Sequence, residues 1–198
     1  HILSVLGQIG TAEPHAADRG TFTLVNHTGR TVGDEDFLGR FMLVFFGYTH
    51  CPDICPIDLL IMSQALDLPG GKAENVQPLF ITIDPVRDTA PVLAEFVGHF
   101  HPSLIGLTGS AEQVAQAARV YRARYKKFFP LELGDEDEDT GGAGDGARGP
   151  EQGGQYLMDH TAATYLVGPD GGGLSLYPHG MTAADIAADI ERFIDRQP

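Results

Sequence analysis

The run Phe41-Met-Leu-Val-Phe-Phe46, ended by Gly47, constrains the fold more than any other stretch of this chain. Six apolar residues in a row, without alternation, suit a strand covered on both faces, as in a parallel sheet with helices above and below. The run is far too short to cross a bilayer, which takes about 20 residues as a helix. The segment from Pro56 to about Leu68 reads as a helix, because proline fits a first helical position, where its missing N–H has no partner to lose. Pro69-Gly-Gly71 stops it.

The same alternation of strand and helix continues on both sides. Thr21 to Asn26 alternates polar and apolar residues like a half-buried strand, His27 to Arg30 supplies a turn, and a second short strand follows. Val76 to Ile83 and Leu104 to Leu107 are strands, separated by a helical spacing of Val92, Leu93, Phe96, Val97 and Phe100. Ser110 and Gln113 form a capping box for a helix that buries Val114, Ala117, Ala118 and Tyr121. Thr161 to Val167 and Leu174 to Tyr177 are strands joined across a Gly-rich turn. Thr182 then caps a last helix with the stripe Ile186, Ile190, Phe193 and Ile194. This order predicts one α/β domain over 21–198, a central mixed sheet flanked by helices. Residues 1–20 lack periodicity and read as an extended leader, and the start at His1 suggests a trimmed chain whose anchor has been removed. The acidic run Glu132 to Asp139 and the Gly-rich stretch after it predict a flexible loop over 132–155.

The net charge of −14 disfavours nucleic acid and anionic lipid as partners, and an acidic surface would suit a basic protein patch or a cation. Only two cysteines are present, which excludes a disulfide framework of the small secreted kind. They lie four positions apart, a separation that chance would give about one time in a hundred, so a shared task is expected.

That pair, Cys51-Pro-Asp-Ile-Cys55, follows the buried strand and opens a helix. In open α/β sheets, sites gather beyond the C-terminal ends of the strands. A helix N-terminus stabilises thiolates, which are both nucleophiles and soft-metal ligands. The pair can therefore form a disulfide, hold a metal, or alternate between the two; the bland alternative is two inert buried thiols. Structural zinc takes four protein ligands, and the chain has no other cysteine. Copper(I) accepts two or three soft donors, and one imidazole would complete a three-coordinate site. Of eight histidines, His160 stands out, since it directly precedes a strand and neighbours Asp159, which could orient its ring. His50 points away from its neighbour Cys51, His179 is near the site or simply a loop residue, and His99 and His101 belong to a helix end. Asp84, in Ile83-Asp-Pro85, ends a strand at the same sheet edge, as a neighbour of the site or as a turn cap.

The segment Phe45-Phe-Gly-Tyr-Thr-His-Cys-Pro-Asp-Ile-Cys-Pro56 resembles the signature of the SCO/SenC family of copper-binding assembly factors for cytochrome c oxidase. Three further blocks agree in order: Leu79 to Thr89, Leu104 to Gly109, and Asp159 to Gly171. The resemblance spans about residues 20 to 196 and implies a thioredoxin-like fold with an inserted β-hairpin. It implies copper, as Cu(I), Cu(II) or both, held by Cys51, Cys55 and His160, with Cys51 and Cys55 as a redox pair. The implied partner is oxidase subunit II, whose binuclear copper site receives copper from these proteins or has its cysteines reduced by them. A copper donor protein or a thioredoxin-like reductase would be further partners. The implied location is the periplasmic face of a bacterial inner membrane, through an N-terminal anchor, or the mitochondrial intermembrane space. The Gly-rich extension 141–154 is longer than the family pattern.

Overall fold

The computed structural model of the protein describes residues 21–128 and 156–197. The expected leader, 1–20, and the acidic and Gly-rich segment, 132–155, lie outside them. Nine strands and four α-helices follow in order among the described residues: β1 (Thr23–Asn26), β2 (Thr31–Gly33), β3 (Phe41–Gly47), α1 (Ile54–Asp67), β4 (Val76–Thr82), α2 (Ala90–Val97), β5 (Ile105–Thr108), α3 (Ala111–Val120), β6 (Tyr125–Phe128), β7 (Leu157–His160), β8 (Ala163–Val167), β9 (Gly173–Pro178) and α4 (Ala183–Asp195).

Seven strands form one mixed sheet in the order β2-β1-β5-β4-β3-β8-β9. Its centre is parallel: β3 pairs β4 from Phe41↔Val76 to Gly47↔Thr82, and β4 pairs β5. Antiparallel hairpins close both sides, β1–β2 against β5 and β8–β9 against β3. Every residue of β3 and of β4 is buried, as the unalternating apolar run requires. Each large side chain so buried contributes roughly 1.5–3 kcal/mol from apolar area alone. Phe45 stacks with Phe80 of β4, and Phe46 meets Tyr121 at the end of α3 and Tyr165 of β8. The aromatic residues of β3 thus lock the sheet centre to both of its neighbours.

Helix α1 packs against α4, α2 against β5, and α3 against β1. The Ser110–Gln113 box caps α3 in both directions, at 3.2 and 2.8 Å, and Thr182 caps α4. Two departures from the sequence reading bear on the site. Helix α1 begins at Ile54, two residues before Pro56, and tolerates the proline because the first turn lacks intrahelical acceptors for its N–H groups. His160 not only precedes β8 of the central sheet, two residues on, but itself ends β7, which pairs antiparallel with β6 as a separate two-stranded ribbon.

Candidate metal centre

Strand β3 ends at Gly47, and the chain turns through Tyr48 to Asp53 before α1 begins. This puts Cys51 in the loop and Cys55 in the first turn of the helix. Asp53, at the N-cap position, makes no side-chain cap. The Cys51 sulfur takes that role instead, accepting the Cys55 backbone N–H at 3.5 Å. The His160 Nε2 lies 3.3 Å from Cys55 Sγ. The donor atoms of Cys51, Cys55 and His160 all lie within 4.8 Å of one another. Two sulfurs and one imidazole nitrogen at this spacing can close around a single soft ion with small movements.

The two thiols are electrostatically unequal. Cys51 is half-buried and its pKa is lowered, to about 3, first by the hydrogen bond from Cys55, against the effect of burial, and further by the His160 ring and the Asp53 and Cys55 backbone N–H groups. Cys55 is fully buried, and its pKa is raised because its proton is held on the bond to Cys51 and because burial disfavours a second thiolate. The pair therefore shares one proton, kept on Cys55, beside one nucleophilic sulfur that faces solvent. Both cysteines are free thiols.

The ring of His160 is set by its surroundings. Its Nδ1 lies 3.1 Å from the Thr161 carbonyl, which can only accept, so Nδ1 carries a hydrogen and, in the neutral ring, the Nε2 lone pair faces the sulfurs. Phe45 and Tyr48 flank it edge-on, at 6.1 and 6.0 Å between centroids. The carbonyl, rather than the Asp159 carboxylate, orients the ring, because adjacent strand residues point to opposite faces and Asp159 is exposed.

Asp84 is buried and accepts from Tyr156 Oη at 2.7 Å and from Arg87 Nε. It touches none of the three donor residues through a hydrogen bond among the described residues. Instead it anchors the start of β7: Arg87 donates to the Tyr156 carbonyl at 3.1 Å and stacks on the Tyr156 ring at 3.6 Å. Lys127 covers the same ring at 3.7 Å, and the Met158 N–H donates to Tyr48 Oη at 3.2 Å. This clamp joins the ribbon to the Cys loop.

Three supporting residues escaped the sequence reading of the site. A Cβ on Gly47 would come within 2.8 Å of Cys55 Sγ and 2.9 Å of two phenylalanine rings, so glycine lets the sulfur approach the strand end. Asp88 is a fully buried carboxylate that accepts from Thr49 N at 2.9 Å and Thr82 Oγ1 at 2.7 Å, tying the Cys loop to β4. Tyr48 walls one side of His160. Only Gly47, at the end of an apolar run, left a signal that could have been found. His179 pairs with buried Asp58 at 2.7 Å, His50 lies beside Thr49 at 3.1 Å, and His101 beside Ser103 at 2.7 Å, so none of them joins the centre.

Residues 10–195 match the SCO1/SenC family. The SCO2 homolog of Bos taurus mitochondria is 41% identical over 180 residues, which cover 89% of this chain and 60% of that protein. Protein SenC of Rhodobacter capsulatus is 39% identical over 186 residues, covering 94% and 75% respectively. The chain spans 60%, 51% and 63% of the length of the bovine SCO2, human SCO1 and mouse SCO2 homologs it matches. A copper-bound ScoI structure from Bradyrhizobium japonicum superposes with a TM-score of 0.71 at 35% identity, covering 88% of this chain and 98% of that one. The mixed sheet flanked by helices is the thioredoxin-like fold that the resemblance implied. The match over nearly the whole chain, and the convergence of Cys51, Cys55 and His160, carry one conclusion: the chain belongs to the SCO1/SenC family.

Proposed function

We propose that this protein is a copper chaperone for the assembly of cytochrome c oxidase, delivering copper to the binuclear site of subunit II. The observation that carries the reading is the convergence of two sulfurs and one correctly oriented imidazole nitrogen at the end of β3 and β7. Cys51, already a thiolate, is the first donor; Cys55 becomes the second on losing its proton, and His160 Nε2 is the third. A disulfide between the cysteines removes both sulfurs, so the redox state of the pair gates loading. Copper leaves by ligand exchange with thiolates of the acceptor. Acid weakens binding, because protons compete for every donor. Copper-bound relatives of the same family, such as the Bradyrhizobium japonicum ScoI, support this reading. Among the described residues no helix is long and apolar enough to cross a membrane. The proposed location is the periplasmic face of a bacterial inner membrane.

Anaerobic titration with Cu(I) tests the reading. The wild type takes up one equivalent tightly, and Cys51→Ser and Cys55→Ser each lose it. Stoichiometric tight binding by either serine variant would contradict the assignment.

The thiol asymmetry favours a second activity, reduction of a disulfide in the oxidase copper site. The more accessible Cys51 thiolate would attack a partner sulfur to form a mixed disulfide, and Cys55 would then displace the partner thiol, leaving the pair oxidised and the partner reduced. Full oxidase assembly by His160→Ala would favour this activity over copper delivery, since a reductase does not need the imidazole.

A further inference from the structure

The charge of this chain is unevenly spread. Five of its 13 Lys and Arg residues fall within positions 119–127, with no carboxylate among them, although the net charge is −14. Arg119 lies in the last turn of α3, Arg122 and Arg124 in the connection that follows, and Lys126 and Lys127 on β6. All five are exposed. Arg119, Arg124 and Lys126 line an open groove of about 660 Å³ together with Asp159 and His160, and Asp159 is the cross-strand partner of Lys126. Asp159 is the one carboxylate among the groove's described lining residues. A second, smaller hollow of about 200 Å³ opens beside Cys51; Pro52, Ile54, Phe128 and Leu157 give it an apolar wall, and Asp53 and Asp159 are its carboxylates. It shares Asp159 and His160 with the groove, so one surface runs from a cationic channel, past the metal-centre histidine, to an apolar recess at the half-buried Cys51 sulfur.

We propose that this surface docks an acidic segment of a partner protein, whose apolar tip enters the recess beside Cys51. Charge complementarity selects the partner. A basic protein is attracted to the acidic remainder of the chain and repelled where the metal sits. An acidic one is repelled almost everywhere and attracted only beside the metal centre, which orients it during encounter. The global charge thus works against misplaced docking, and the local strip works for the productive one. This reverses the expectation from net charge alone, that the partner patch is basic. The apolar recess supplies the short-range contact that charge does not. The proposal rests on the delivery reading insofar as the partner receives or supplies copper, but the groove is tested without copper.

The probe is a fluorescent peptide with two leucines between runs of three glutamates, measured by anisotropy on the full chain, with a lysine-for-glutamate counterpart. Wild type is expected to bind the acidic peptide, with affinity falling about tenfold or more between 50 and 300 mM salt. The variant R119E/R124E/K126E is expected to lose that binding while retaining its Cu(I) stoichiometry, which shows that the fold is intact. R119Q/R124Q/K126Q is expected to fall between the two. No binding by wild type, equal binding by the charge-reversed variant, or competition by the lysine peptide would overturn the proposal. So would binding that appears only after removal of residues 132–139, because it would assign the groove to the chain's own acidic run. In a second arm, copper transfer to the soluble copper domain of the cognate oxidase subunit II is expected to slow in R119E/R124E/K126E and to recover in part at high salt. Loss of peptide binding with unchanged transfer upholds the groove and counts instead against the oxidase domain as its partner.

Discussion

At the scale of residues, the inequality of two neighbouring thiols is the main chemical property of the site. The pKa of Cys51 lies below the ordinary thiol value and that of Cys55 above it. At pH 6 a thiol alkylating agent should therefore label Cys51 and spare Cys55; mass spectrometry after limited labelling reads the ratio, and equal labelling would contradict it. The same signs fix the proton balance of copper binding. Near pH 7 Cys51 has no proton to lose and Cys55 still holds one, so Cu(I) uptake should release one proton. Affinity should rise with pH by about one decade per unit over that range. Calorimetry in two buffers of different ionisation enthalpy measures the number, and a value of two would show that Cys51 is protonated in the free protein. Gly47 is the steric counterpart of this asymmetry. Gly47→Ala places a methyl against Cys55 Sγ. It should cost about 1–3 kcal/mol in urea unfolding and weaken copper binding through the displaced sulfur. Unchanged stability and affinity would show that the strand end has more room than the geometry gives it.

At the scale of elements, the cysteines and the histidine are held by different means. The cysteines sit at the junction of β3 and α1, rooted in the fully buried centre of the sheet. His160 ends a ribbon of eight paired residues outside that sheet, fixed by Tyr156, Arg87, Asp84 and Tyr48. Arg87→Ala should therefore leave the Cys pair in place and loosen the histidine. The expected result is a weakening of Cu(I) affinity of about tenfold, in the direction of His160→Ala, with Cys51 labelling at pH 6 unchanged. An affinity equal to wild type would show that the ribbon holds its position without the clamp. This division explains what the sequence revealed. The Cys segment was legible because an unbroken apolar run, Gly47 and a helix start leave one architecture open to it. The ribbon was not, because Tyr125-Lys-Lys-Phe128 is largely exposed and lacks alternation. Its partner strand lies across a long polar stretch, and only tertiary contacts make either a strand. His160 was accordingly identified by resemblance and by its place before β8, while the short strand β7 that it ends went unseen.

At the scale of the whole molecule, architecture and charge differ in how they can be read. The alternating order of strands and helices led directly to the α/β sheet, since buried parallel strands and capped helices mark themselves by pattern. The supporting network did not. Asp88 and Tyr156 look like loop residues until the fold buries or pairs them, and Asp84, placed at the right sheet edge, gave no sign that its partners are Tyr156 and Arg87. Net charge likewise hides local contrast, because a sum of −14 includes five cations within positions 119–127, three of which line the groove that His160 also lines. The most direct test of the central claim is X-ray absorption at the copper edge of the Cu(I)-loaded, reduced protein. The account predicts two sulfur donors and one nitrogen donor per copper, with the nitrogen lost in His160→Ala and a sulfur lost in Cys55→Ser. A spectrum with no sulfur donor, or one unchanged by both substitutions, would contradict it.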